Sequence, residues 1–155
     1  MAKAIIIYES KYGNTRLAAQ AIAEGMNQVT GVEAFLTEPR DADLNRLGVF
    51  DAVLLGSPNH MGRATRGINK FIDKLGKSGL GGKPAAVFDT YMGKDFEKAV
   101  KKMEKQIGEK APGLKLVVPG LSLKVKGMKG PLDEGELTRC REFGTSIATL
   151  MQEKA

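Results

Sequence analysis

The sequence predicts an α/β protein: a doubly wound, three-layer fold in which a five-stranded parallel sheet lies between two layers of helices. Three observations carry this. Short aliphatic segments alternate with segments of helical period along the whole chain, and each parallel strand pair needs such a crossover. The strand segments are apolar at successive positions, as in Ile5-Ile6-Ile7 and Val53-Leu54-Leu55, which is the pattern of strands buried on both faces. A length of 155 residues with 42% hydrophobic content suits one domain, 1–155, with a core of its own.

The elements follow in order. Lys3 to Glu9 reads as the first strand, and Ser10 to Thr15 as a polar turn. A helix follows with Ala18, Ala21, Ile22, Gly25 and Met26 on one face, closed by Gly31. Val32 to Thr37 is the second strand, and Pro39 to Leu47 a polar connection with a turn of helix near Leu44. The third strand, Asp51 to Gly56, enters the loop 57–63. The next helix turns Ile68, Phe71, Ile72 and Leu75 inward and ends in the glycine-rich stretch 76–82. Pro84 to Asp89 is the fourth strand, Thr90 to Gly93 its loop. A basic helix is expected to bury Phe96, Ala99, Val100, Met103 and Ile107. Leu114 to Val118 forms the fifth strand; Pro119-Gly120 interrupts it, and Leu121 to Val125 resumes the extended pattern. The last helix starts at Asp133, with Glu136 closing a capping box. It buries Leu137, Cys140, Ile147, Ala148 and Met151, and Gly144 permits close approach of a neighbour.

In an open parallel sheet, ligands bind outside the carboxyl ends of the strands, which directs attention to residues 9–15, 57–63 and 89–93. In the first loop Ser10, Asn14 and Thr15 supply short polar side chains, and Gly13 allows a turn that a side chain would obstruct. The loop ends at a helix N-terminus, where unpaired N–H groups favour an anion such as phosphate. It lacks the Gly-Lys-Ser/Thr ending of a P-loop and the three glycines of the dinucleotide fingerprint. An ordinary strand-to-helix turn, capped by Asn14 or Thr15, is the competing reading.

Ile5-Ile6-Ile7-Tyr8-x-Ser10-x-Tyr12-Gly13-Asn14-Thr15 resembles the opening of a flavodoxin, whose phosphate loop runs Thr/Ser-x-Thr-Gly-x-Thr. Gly56-Ser57-Pro58-Asn59 resembles the second flavin loop of that family. The segment from Gly130 to Leu137, with Glu142-Phe143-Gly144, is similar to its final helix. The resemblance implies a flavodoxin-like sheet of order 2-1-3-4-5 with FMN at the switch point. By position, it implies that Ser10, Tyr12, Asn14 and Thr15 hold the FMN phosphate, with the backbone of Lys11 and Gly13. Ser57, Pro58, Asn59, His60, Met61 and Gly62 would form the second flavin loop, and Asp89, Thr90, Tyr91 and Gly93 the third. Tyr91 would stack on the outer face of the ring; His60 or Met61 would take the inner face, where the family often has tryptophan. The Met61–Gly62 peptide matches the one that turns toward the flavin in the semiquinone. Tyr12 stands where the family usually has threonine, and resembles the loop of di-iron flavoproteins and of NAD(P)H:quinone oxidoreductases.

The implied function is a flavodoxin, an FMN-binding carrier of single electrons through a flavin semiquinone. The alternative is an FMN-dependent NAD(P)H:quinone-type oxidoreductase. A flavin-free basic module is the third reading, but the lysines are not interleaved with aromatics as a single-strand nucleic-acid platform requires, so no nucleic acid is expected. A phospho-receiver would need an acidic cluster that Glu9 alone does not supply. The longest apolar runs are too short to cross a membrane, and no signal-peptide pattern opens the chain, so the expected home is the cytoplasm. One cysteine and one histidine leave no disulfide and no metal centre; Cys140 reads as an inert core thiol.

The charge is one-sided. The net charge of +6 equals that of residues 94–130 alone, where ten lysines face four acids. Flavodoxins are strongly acidic, whereas this sequence has a pI near 9.4. With Lys11, Arg63, Arg66 and Lys94 expected to flank the site, the expected partners are redox proteins with acidic docking faces, ferredoxin-like donors or acceptors. A monomer or weak dimer is expected.

Overall fold

The computed structural model describes residues 1–153. Its strands are β1 (Ala2–Tyr8), β2 (Val32–Thr37), β3 (Ala52–Pro58), β4 (Pro84–Tyr91), β5 (Lys115–Leu116) and β6 (Leu121–Lys124); its helices are α1 (Asn14–Asn27), α2 (Arg66–Leu75), α3 (Lys98–Lys110) and α4 (Glu136–Glu153). All strand pairs are parallel, in the order β2-β1-β3-β4-β5, with β6 also paired to β4. This is the flavodoxin-like topology expected from the sequence.

Alternate residues of each central strand feed two separate cores. Ala4, Ile6 and Tyr8 of β1 point with Leu54 and Phe88 toward α1 and α4. Ile5 and Ile7 point with Val53, Leu55 and Val87 toward α2 and α3. Apolar residues at every position are therefore needed, since both faces are covered. Gly144 marks a close contact between helices, its backbone lying against that of α1 at Ile22 and Met26.

Four local expectations are corrected. The fifth strand is two short pieces in one position: β5 pairs with the start of β4 and β6 with its end. Pro119 has no N–H to donate, and the backbone at Gly120 packs against Val87 and Val100, so the ladder breaks between them. Thr90 and Tyr91 belong to β4 rather than to a loop, because β3 and β6 pair with them. Phe96 is not a core residue of α3: it precedes the helix, is 53% exposed, and sets its ring edge-on to Tyr91 at 5.3 Å. Finally, α4 begins at Glu136 without the expected capping box. The Glu136 carboxylate is buried and accepts instead from Lys124 N and Arg139 Nη1, at 2.6 and 2.9 Å, since β6 ends beside it. Among the described residues, no helix is long and apolar enough to cross a membrane.

Candidate functional site

The carboxyl ends of β1, β3 and β4 open on a cavity of about 230 Å³. The turn after β1 supplies Ser10, Lys11, Tyr12, Asn14 and Thr15; the end of β3 supplies Pro58, Asn59 and His60; β4 supplies Thr90, Tyr91 and Met92; and the segment after β6 supplies Val125 and Met128. Three loops expected from sequence thus meet at one place, joined by a fourth.

The first turn is organised by Ser10 and Gly13. Gly13 takes a left-handed φ of 92°, available to glycine without the clash of a Cβ. Its N–H and that of Arg16 donate to Ser10 Oγ at 3.1 and 3.3 Å. Gly13 O then accepts from Leu17 N, starting α1. Neither Asn14 nor Thr15 caps the helix: both lie inside it, and Gly13 holds the cap position. The N–H groups of Asn14 and Thr15 precede the first intrahelical bond and have no acceptor in the turn. Together with the left-handed glycine they form a concave array of donors at the positive end of the helix, suited to an anion. Lys11 Nζ lies 5.4 Å from the Tyr12 ring, which keeps a cation at the same mouth.

Thr15 and Thr90 bridge the first and third walls, their hydroxyls 2.9 Å apart and both residues buried. Asn59 bridges the second and third: its N–H donates to Thr90 O at 2.9 Å. Its side-chain Oδ1 is buried without any donor. An orphaned acceptor of this kind costs about 1–3 kcal/mol unless a ligand or water serves it, and it lies on a cavity-lining residue.

His60 and Met61 separate clearly. Residues 60–63 form a tight hairpin in which His60 and Arg63 exchange both backbone hydrogen bonds, at 2.7 and 3.0 Å. Met61 and Gly62 occupy its tip with φ of 54° and 79°. His60 lines the cavity, whereas Met61 is 91% exposed and does not. Gly62 faces α3, where an added Cβ would meet Lys98 Cδ at 3.3 Å. Of the two candidates for the inner face, His60 is the one at the cavity wall.

Three expected site residues stand behind the wall or beside it. Ser57 is fully buried, and its Oγ accepts from Thr65 N at 2.8 Å; the side chain holds the 57–65 segment rather than lining the cavity. Asp89 is also fully buried, accepting from Val100 N at 3.0 Å and from Ser122 Oγ at 2.6 Å. Burial pushes its pKa up to about 6, against the stabilising hydrogen bonds from Ser122 and Val100. Gly93 makes a left-handed turn after β4 and does not line the cavity. Met92, within the third of the loops singled out, also lines the cavity, and Val125 and Met128 line it from outside those loops. The rule that directed attention to three strand ends applies equally to β6, and would have found Val125 and Met128. Tyr91 keeps its hydroxyl protonated, its pKa raised by desolvation and by the Glu136 carboxylate. Cys140 is buried far from solvent, its thiol pushed up to about 12 by desolvation, which fits an unreactive core residue.

A family model described as "Flavodoxin domain" matches residues 5–125. A protein from Solidesulfovibrio magneticus named NAD(P)H dehydrogenase (quinone) is 32% identical over 112 residues, covering 54% of this chain and 55% of that protein. The match therefore spans about half the length of this curated relative. A flavodoxin from the domain Archaea superposes with a TM-score of 0.81 at 27% identity, covering 97% of this chain and 99% of the other. Flavodoxin 2 from Bacillus cereus gives 0.77 at 29%, covering 99% and 100%. The flavodiiron protein from Giardia intestinalis gives 0.81 at 20%, covering 97% of this chain and 36% of its own, a likeness of fold alone. The chain belongs to the flavodoxin-domain family.

Proposed function

We propose that this member of the flavodoxin-domain family holds FMN in the cavity and carries single electrons between redox proteins. The observation that supports this best is a convergence at one mouth. Free N–H groups at the start of α1, Tyr91 and Asn59, whose Oδ1 is buried without a donor, all belong to the walls of the same space. The residues present fit the group. The Ser10–Thr15 turn offers phosphate its backbone donors and three hydroxyls. Tyr91 offers an aromatic face, steadied by Phe96, and His60 a flat side chain on another wall. Asn59 Oδ1 offers an acceptor for a ring N–H, and Met92, Val125 and Met128 offer apolar neighbours at the mouth.

When bound, FMN supplies the redox chemistry, and the protein's part is binding, orientation and electrostatics. A second reading, an FMN-dependent NAD(P)H:quinone-type oxidoreductase, is favoured by the name of the Solidesulfovibrio relative and by Tyr12 in the phosphate turn.

The first experiment is purification, a visible spectrum and stepwise anaerobic reduction with dithionite. A flavin spectrum and a strong paramagnetic signal at half-reduction are expected of the carrier. Reduction without a radical, together with rapid bleaching by NADPH alone, would favour the oxidoreductase. Absence of flavin after soaking in FMN would overturn both. Replacing Tyr91 by alanine is expected to weaken FMN binding by about 1 kcal/mol, roughly five-fold in Kd. Titration of the apoprotein by flavin fluorescence checks this; unchanged affinity would remove Tyr91 from the site.

A further inference from the structure

Beside the cavity lies a second, shallower groove, lined by His60, Met61, Arg63 and Ala64 of the hairpin segment and by Arg66, Asn69, Lys70 and Asp73 of α2. We infer that this groove, with the adjoining edge of α3, is the docking surface for a small acidic redox protein. The inference rests on the carrier reading for what docking accomplishes, but not for whether docking occurs.

The charge is arranged for a macromolecule. Arg66 and Lys70 lie one turn apart on α2 and therefore share a face. Lys98 and Lys102 lie one turn apart on α3, and both approach the hairpin at Gly62. Arg63, Arg66, Lys70 and Lys102 are exposed, and among the described residues none of them makes an ion pair. Lys98 and Lys101, by contrast, are paired to Asp95 and Glu97. The acid in the groove, Asp73, accepts from Gln106 Nε2 at 2.9 Å. Gln106 is neutral, so Asp73 keeps its charge, and four cations spread along two helices and a hairpin stand against one carboxylate, a surplus of three. Such a row suits an acidic protein face better than one phosphate, which asks for donors converging on a point.

An apolar contact stands among these cations. Met61 projects from the hairpin tip almost wholly exposed, in a left-handed conformation that costs a side-chain-bearing residue energy. A polarizable, adaptable side chain surrounded by charge is the composition of an interface centre with a polar rim. His60 belongs to both the groove and the cavity, so a protein seated on the groove lies against the wall of the cofactor site. Of the ten lysines between 94 and 130, Lys98 and Lys102 are the ones that approach the hairpin beside the groove, whereas Lys124, Lys126 and Lys129 flank Val125 and Met128 on another side of the cavity.

The test uses the FMN-loaded protein and plant-type [2Fe–2S] ferredoxin as an acidic probe. Binding is measured by calorimetry with oxidised ferredoxin, and electron transfer by stopped flow with reduced ferredoxin. The association rate is expected to fall on the order of ten-fold or more from low to high ionic strength. The double variant Arg66→Glu/Lys70→Glu is expected to lower it by about ten-fold at low salt, and the difference should close as salt rises. Lys110→Glu/Lys115→Glu makes the same change in net charge at the far end of the sheet, and is expected to stay within about two-fold of the parent. Equal effects of the two double variants, or binding indifferent to salt, would overturn the inference while leaving the carrier reading intact. Salt-sensitive binding that depends on Arg66 and Lys70 without electron transfer would support the docking surface and count against the carrier. NADPH affinity lost in Arg66→Glu/Lys70→Glu with ferredoxin binding unchanged would overturn the inference and give the groove to a dinucleotide.

Discussion

Gly144→Val is expected to destabilise the protein by about 3 kcal/mol or more, a large share of the 5–15 kcal/mol that holds an ordinary domain folded. A Cβ at Gly144 would stand 2.1 Å from Ile22 O, and one at Gly25 would stand 2.0 Å from Arg141 O. The two helices touch backbone to backbone through reciprocal glycines, so no flexible side chain can move aside. Any branch must push α4 off α1, opening the core of Ile22, Met26, Cys140, Ile147 and Met151 beneath them. The gain from replacing a helical glycine is only about 1 kcal/mol and does not offset this. Gly108 in α3 provides the contrast, since nothing lies within 4 Å of its Cβ position. There Gly108→Ala is expected to stabilise by up to about 1 kcal/mol. Urea unfolding of the three proteins checks both signs, and a Gly144→Val midpoint equal to the parent's would mean that the helices do not meet here.

The close approach at Gly144 is legible in the sequence because a glycine on the buried face of an otherwise regular helix has few other uses. The strands and their order of appearance are legible for a similar reason: runs such as Ile5-Ile6-Ile7 have no low-energy place except between two apolar layers. The division of β5 from β6 is not legible in detail, since Pro119-Gly120 announces an interruption but not that both halves pair with β4. Phe96 misleads because helical period alone counts it with Ala99, Val100 and Met103, whereas its place before the helix sends it to Tyr91.

The site divides along the same line. Ser10, Gly13, Asn14 and Thr15 can be read from sequence because a turn into a helix makes local demands on residue type. Ser57 and Asp89 have the same polar character, but whether such a side chain faces a cavity or its own scaffold depends on what packs behind it. For Asp89 that is Ser122 and Val100, 33 and 11 residues away. The choice between His60 and Met61 is a matter of hairpin register, fixed by the exchange of hydrogen bonds between His60 and Arg63. Val125 and Met128 carry no polar signal, and only the topology puts them at the mouth.

Asp89→Asn is expected to raise stability at neutral pH by up to about 3 kcal/mol, the ceiling set by 1.36 kcal/mol per pKa unit of displacement. The folded protein holds the Asp89 proton up to about pH 6, and the unfolded chain releases it near its ordinary value of 3.8. With the folded pKa the higher one, the folded state binds more proton between these values, and stability from this group falls as pH rises through the window. Its contribution is complete below about 3.8 and gone above about 6; the buried carboxylate is then carried as an anion, helped by Ser122, Val100 and the neighbouring Asn59. Asparagine keeps the shape and an acceptor for Val100 N–H while removing the ionisation. The difference in unfolding free energy between Asp89→Asn and the parent should therefore be near zero or negative at pH 4 and grow positive through pH 6. A difference constant across that range would mean that Asp89 does not titrate in the window. The same charge bears on the cavity, because Asp89 directly precedes Thr90 and Tyr91 and lies behind the wall they form. An anion fixed there opposes further negative charge in the adjoining space. In the FMN-loaded protein, Asp89→Asn is expected to shift the reduction midpoint upward at pH 7 and to leave it nearly unchanged at pH 5, where the parent already holds the proton.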